Sequence, residues 1–174
     1  VEQGEDGSIG PVSNVTARHR SGSFYTPEEL VGLIIDKAVG PLVLECCSAF
    51  EAKLERKANL PALHAADPAV AITNLRIVDP AMGSGHFLVS LVDWLADRVL
   101  TAMADASAQA ASAGIMDYVS PLAERIAAIR TSILTQARAK NWPIVEDQLD
   151  DRHIVRRIVL KRCVYGVDLN PMAV

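Results

Sequence analysis

The sequence is poor in the residues that staple or metallate small proteins. It has three cysteines, two of them adjacent (Cys46 and Cys47) and the third distant (Cys163), with no CxxC pair and no histidine cluster beside them. That spacing argues against a disulfide framework and against zinc, and the cysteines read as small buried hydrophobes. His19, His64 and His153 form no ligand pattern either, so no metal is expected. Also missing is a run of roughly 18 uninterrupted apolar residues, which excludes a recognisable membrane helix. The first residues, "VEQGEDGSIG", lack the basic and apolar regions of a signal peptide, and a reducing cytoplasm is the expected compartment. Basic excess is absent too: the net charge is −4, which gives no sign of the positive surface a duplex-gripping module carries. The run Arg152, Arg156, Arg157, Lys161 and Arg162 reads first as a solvated helix face and only second as a phosphate contact.

What is present suffices for one packed domain. The chain has 174 residues, half of them hydrophobic. It opens on Val and stops at "NPMAV" just past an expected strand end, which suggests part of a longer protein. Residues 1–23 are rich in Gly, Ser and charge without periodicity and read as a loose lead-in. In "YTPEELVGLIIDKAVGP", Thr26 can cap a helix, Pro27 suits its first position and Glu29 sits three after the cap; Gly40 and Pro41 are expected to end it. An apolar spacing recurs over 42–57. "NLPALHAADPAVAITN" then reads as a long surface connection, because its Leu-Pro and Asp-Pro junctions resist regular structure.

"LRIVD" is short, β-branched and followed by a small-residue turn, the pattern of a buried strand. From His86 onward Leu88, Leu91, Val92, Leu95 and Val99 mark one helical face. The Ala-rich "TAMADASAQAASAG" follows, and Ser120 with Pro121 opens a further helix along Leu122, Ile126, Ile129 and Ile133, expected to be a packed insertion. "DDRHIVRRIVLKR" reads as a helix and "CVYGVDLNP" as a second strand ending in an acid. Two strands that each end in an acid and each lead into a helix predict an α/β layered fold with a parallel sheet.

In such a sheet ligands sit at the carboxyl ends of strands, where glycine lets the backbone approach and a following helix offers free N–H groups. Gly83 and Gly85 stand there after Asp79. Leu88 occupies the place of the third glycine of GxGxxG, so the dinucleotide fingerprint fails, and no GxxxxGK[ST] loop exists. An acid before the turn repels a pyrophosphate but attracts cations and accepts from hydroxyls. S-adenosyl-L-methionine offers an ammonium, a sulfonium and ribose hydroxyls. Asp168, at the later strand end, is the expected acceptor for the ribose hydroxyls.

The segments "SGSFYTPEELV", "DPAMGSGHFLV" and "CVYGVDLNPMAV", in this order, resemble the Eco57I-like class of N6-adenine DNA methyltransferases, found in restriction-modification enzymes and phage-defence methylases. The resemblance implies an incomplete Rossmann-like fold with a helical region over 26–60, the first strand and glycine loop over 75–87, a helical insertion over 101–160 and a second strand over 163–168. It implies S-adenosyl-L-methionine as cofactor, double-stranded DNA as partner of a parent protein, and restriction or defence subunits as further partners, without a membrane. Carried across by position, Phe24, Tyr25, Thr26 and Pro27 resemble the segment that holds the methionine end. Asp79, Pro80, Ala81, Gly83, Ser84, Gly85 and Phe87 resemble the glycine-rich cofactor loop, and Asp168, Leu169 and Asn170 the ribose acid with its neighbours.

Two departures qualify the match. About 80 positions separate the glycine loop from the ribose acid, where similar enzymes use a few tens. The family's tetrapeptide, Asn or Asp followed by Pro-Pro and an aromatic, occurs nowhere in this chain. In the family it holds the flipped adenine for attack on the sulfonium methyl, so this segment is expected to bind cofactor and not to methylate. Methylation of another substrate, such as protein glutamine, and a non-catalytic scaffold in a defence complex are the rival readings.

Plainer roles stand beside these. Asp79 can simply make a turn, Asp168 can cap a helix, and Asn170 before Pro can start a turn. Tyr25 and Thr26 can be a staple and a cap, His86 can face solvent, and Trp94 and Trp142 are expected to pack.

Overall fold

The computed structural model describes residues 2–3, 9–10, 26–143 and 149–169. Two short antiparallel strands, β1 (Glu2–Gln3) and β2 (Ile9–Gly10), stand at the start. Then come α1 (Glu28–Ala38), α2 (Gly40–Glu55), α3 (Leu60–Ala65), α4 (Pro68–Ile72), β3 (Ile77–Asp79), α5 (His86–Ser112), α6 (Pro121–Ala139), α7 (Asp151–Arg162) and β4 (Val164–Gly166).

The expected α/β layered, Rossmann-like architecture is not what the chain forms. The protein is mostly helical, and its parallel sheet consists of two three-residue strands, with Ile77 opposite Val164, Val78 opposite Tyr165 and Asp79 opposite Gly166. The reason lies in where apolar area is buried. The main core draws Val31 and Ile35 from α1, Leu91, Leu95 and Val99 from α5, and Val155 and Val159 from α7, each at most 1 % exposed. Neither β3 nor β4 contributes a fully buried residue, and Val78 and Tyr165 are exposed. A parallel sheet at the centre of a layered fold is covered on both faces; this one lies at the margin of a helical packing.

α1 and α2 form one nearly continuous rod. Val39 between them keeps helical angles, its N–H bonds Ile35 O at 2.8 Å, and its carbonyl accepts from Val43 at 3.1 Å. Gly40 and Pro41 therefore do not end the helix: Pro41 falls in the first turn of α2, where the missing N–H costs nothing. The rod runs parallel to α5 in constant register. Glu28 meets His86, Asp36 meets Trp94, Cys47 feels the charge of Asp105, and Glu51 meets Gln109, each pair 58 positions apart. α7 lies antiparallel to α5, with Arg152 on Asp97 and Arg156 on Asp93.

The stretch expected to be a surface connection instead carries α3 and α4 and buries Leu63, Ala69 and Ile72. Its prolines do not break structure; they occupy helix starts behind the capping residues Asn59 and Asp67, whose side chains accept from Ala62 N at 3.1 Å and Val70 N at 2.7 Å. Asp67 is itself buried, and its second oxygen accepts from the Tyr118 hydroxyl at 2.6 Å. Tyr118 packs on Phe50 and His64, joining a second cluster beneath Leu63 and Ala106.

α5 runs unbroken through position 101 to Ser112, so the Ala-rich segment continues the glycine-loop helix. α6 starts at Pro121, with the Ser120 hydroxyl accepting from Leu122 N. Cys163 is buried, and burial pushes its thiol up to about 11, so it stays protonated at neutral pH; Cys46 and Cys47 are half-buried with thiols raised by the same cause. Trp94 lies half-buried, donating to Asp36, whereas Trp142 does not pack inside: it is 58 % exposed beneath Lys140. Among the described residues no helix is long and apolar enough to cross a membrane.

Candidate functional site

β3 and β4 end side by side, and the chain beyond each tip is stitched to the other. Val167 N donates to Asp79 O at 2.9 Å, Met82 N to Val167 O at 3.1 Å, and Gly83 N to Asp168 Oδ2 at 2.7 Å. Asp79 Oδ1 accepts from Ala81 N at 3.0 Å, turning the backbone directly after the strand. Gly85 N then donates to Met82 O at 2.8 Å, and Val89 N to Gly85 O at 3.0 Å starts α5.

The turn needs glycine at two places. Gly83 and Gly85 have φ of +54° and +76°, in the left-handed region that side chains disfavour. A Cβ at either would meet nothing within 4 Å, so backbone conformation sets the requirement and the space in front of both is open. Gly85 is the N-cap of α5 and supplies no side chain, so no side chain caps the first turn of this 27-residue helix, whose positive dipole end lies at this turn.

Gly166 is closely packed rather than conformationally constrained. A Cβ there would lie 2.1 Å from Met82 Sδ and 2.9 Å from Leu88 Cδ1. The glycine loop thus folds its Met82 side chain against the bare backbone of β4. Sequence reading did not single out Gly166 or Met82; a glycine inside the short strand "VYG" was the available sign of a close approach.

The start of α1 is brought to the same place. Glu28 Oε2 lies 2.9 Å from His86 Nε2, and Glu28 Oε1 accepts from the Ser90 hydroxyl at 3.1 Å. Thr26 and Pro27, immediately before Glu28 in the chain, are exposed. The expected helix cap at Thr26 does not form, since Pro27 holds the N-cap position and no side chain bonds the first turn. Glu28 is a further residue that sequence reading missed, because only the register between α1 and α5 reveals its partners.

The structure therefore gathers Asp79, Gly83, Gly85 and Asp168 at one end of the parallel strand pair, with Glu28 reaching the helix that follows and Thr26 and Pro27 exposed just before Glu28 in the chain. Asp79 and Asp168 are half-buried; Pro80, Ala81 and Ser84 are exposed on the turn. Phe87 points into the core rather than outward, and Leu169 is fully exposed. Phe24, Tyr25 and Asn170 lie outside the described residues.

The basic run of α7 is largely engaged within the chain. Arg152 forms a two-pronged bond to Asp97 (2.8 and 3.1 Å), Arg156 Nε lies 2.6 Å from Asp93, and Arg162 donates to Asn74 at 2.8 Å. Among the described residues no three His, Cys, Asp or Glu side chains converge as a metal centre would require.

Chemically, two carboxylates beside a glycine turn and a helix N-terminus suit a ligand that brings hydroxyl or ammonium donors to the acids. A phosphate would meet both acids at once. Comparison of the chain with protein-family models, with curated proteins and with solved structures gives no match.

Proposed function

We propose that the chain is the S-adenosyl-L-methionine-binding portion of an adenine-specific DNA methyltransferase. The observation that carries the reading is the placement of Asp79 and Asp168 at adjacent tips of one parallel strand pair, tied together through the Gly83 amide. Order and residue types of the three segments that resemble N6-adenine methyltransferases support it, and Glu28 of the first contacts His86 of the second while Gly83 of the second bonds Asp168 of the third.

The residues fit the cofactor's chemistry. On this reading Asp168 would accept from vicinal ribose hydroxyls, and Asp79 would attract the positive end of the ligand. Gly83 and Gly85 leave open space in which the backbone of the turn can approach it. The α5 N-terminus offers amides to the ligand's carboxylate. When bound, S-adenosyl-L-methionine supplies an activated methyl on its sulfonium. This chain's residues would hold and orient the cofactor; the transfer step needs the Asn/Asp-Pro-Pro-aromatic tetrapeptide, which the chain does not contain. The whole enzyme would place adenine against that methyl and modify its amino nitrogen. DNA contact belongs, on this reading, to other parts of the enzyme, since the chain is net acidic and three arginines of α7 are bonded internally. A cytoplasmic location, with restriction or defence subunits as partners, belongs to the same proposal.

One observation favours a purely structural reading: each acid also accepts an amide of the turn, Asp79 from Ala81 and Asp168 from Gly83, as a turn that served only stability would require. Calorimetric titration with S-adenosyl-L-methionine separates the two. Saturable binding that weakens in Asp79→Ala and Asp168→Ala supports the proposal. Heat-silent mixing, or affinity indifferent to both substitutions, rejects it in favour of a scaffold.

A further inference from the structure

Glu28 spends both carboxylate oxygens on one turn of a helix that begins 58 residues later. Oε2 lies 2.9 Å from His86 Nε2, and the single Ser90 hydroxyl hydrogen is shared between Glu28 Oε1 at 3.1 Å and His86 O at 3.3 Å. His86 is the first residue of α5 and directly follows Gly85, whose left-handed backbone has no side chain to cap the helix. The glycine turn is thus stitched to β4 on one side, through Met82 and Gly83, and held on the other side by Glu28 from the first turn of α1.

From this arrangement we infer that Glu28 is a positioning residue for the glycine turn. The inference rests on the cofactor reading above for its functional half. Glu28 acts through His86 and Ser90: it fixes the start of α5 against the start of α1 and so sets the angle at which the turn's open side faces a ligand. Its worth is geometric. The Glu28 side chain is 68 % exposed, and a polar contact so open to water adds little to global stability. The rod's attachment to α5 also survives its loss, because Asp36 with Trp94 and Glu51 with Gln109 continue the same register further along. Loss of Glu28 therefore loosens the turn and leaves the fold standing.

The test uses the full chain in two measurements. Amide hydrogen exchange without ligand reads the turn directly: in Glu28→Ala the bonded amides of Gly83, Gly85 and Val89 exchange roughly tenfold faster, while core amides of α7 such as Val155 and Val159 are unchanged. Glu28→Gln, which keeps an acceptor for Ser90, restores most of the protection. Titration with S-adenosyl-L-methionine then shows Glu28→Ala binding about five- to tenfold more weakly and Glu28→Gln close to the parent, with Glu28→Ala and Ser90→Ala non-additive. Unchanged exchange at the turn overturns the inference whether or not the cofactor binds. A loosened turn with unchanged affinity overturns its functional half. If the unsubstituted chain takes up no S-adenosyl-L-methionine, the cofactor reading falls, while the exchange data still decide whether Glu28 holds the turn.

Discussion

The amide of Gly83 donates to Asp168 Oδ2 at 2.7 Å, across 85 positions of chain, so the acid after β4 and the turn after β3 form one unit. Removing the carboxylate in Asp168→Ala strips the turn of its acceptor and the proposed ligand of its ribose partner. A hydrogen bond to a charged group contributes about 1.5–3 kcal/mol, which corresponds to a roughly 10- to 150-fold loss of S-adenosyl-L-methionine affinity by calorimetry. Asp168→Asn keeps an acceptor for Gly83 and falls between. Equal affinity in all three proteins contradicts the assignment.

Two glycines respond to alanine with opposite signs. Gly85→Ala forces a side chain into φ of +76° and costs about 1–2 kcal/mol in urea unfolding, with Gly85→Asn milder. Gly32, inside α1 with nothing within 4 Å of its would-be Cβ, behaves in reverse: Gly32→Ala stabilises by about 0.5–1 kcal/mol. A shared sign would refute the distinction between conformational need and mere tolerance.

Gly166→Ala places a methyl against Met82 and Leu88, both flexible enough to swing aside, so the expected penalty is modest, about 1 kcal/mol. The informative quantity is coupling. Met82→Ala opens the space, and the double variant is more stable than the sum of the single changes predicts. Strict additivity in denaturation midpoints would mean that the loop and β4 do not press on each other in solution.

Tyr118 gives a pH signature. Burial first, then the hydrogen bond to Asp67 and its negative charge, push the phenol above its ordinary range. A raised value in the folded protein means that the unfolded chain loses its proton more readily. The stabilisation is therefore complete below the ordinary phenol value of about 10 and declines as pH rises beyond it. Tyr118→Phe costs about 1–3 kcal/mol at neutral pH, because Asp67 keeps a buried oxygen without its donor. Its stability curve above about pH 10 is flatter than the parent's. Parallel curves would sink the argument.

Local signals in the sequence were legible where a rule acts on neighbours. The helices starting near Glu28, His86, Pro121 and Asp151 followed from apolar periodicity and start signals, and "RIVD" and "VYGVD" marked the two strands in parallel. Fold class failed because the size of a sheet is decided by how many strands meet. Among the described residues only Ile77–Asp79 and Val164–Gly166 pair in parallel, while α1, α4, α5 and α7 bury most of the core. Proline misled in the opposite direction. Pro41, Pro61 and Pro68 all stand in first turns, and the Asn59 and Asp67 caps before two of them were start signals read as interruptions. At the site, Asp79, Gly83, Gly85 and Asp168 could be singled out because strand-end acids and small residues carry their own signal. Glu28 and Met82 could not, since their roles depend on partners 58 to 84 positions away, and Gly166 offered only the weak sign of a glycine inside a strand.

The parallel alignment of the α1–α2 rod with α5 has an evolutionary corollary. Each residue advances a helix by about 100°, so one inserted or deleted amino acid anywhere between His86 and Gln109 would rotate every later partner off its mate: Trp94 from Asp36, Gln109 from Glu51. Length variation among homologues should accordingly shun both helices and collect in the joints around 56–59 and 113–120, where a change in count leaves the paired rails in step.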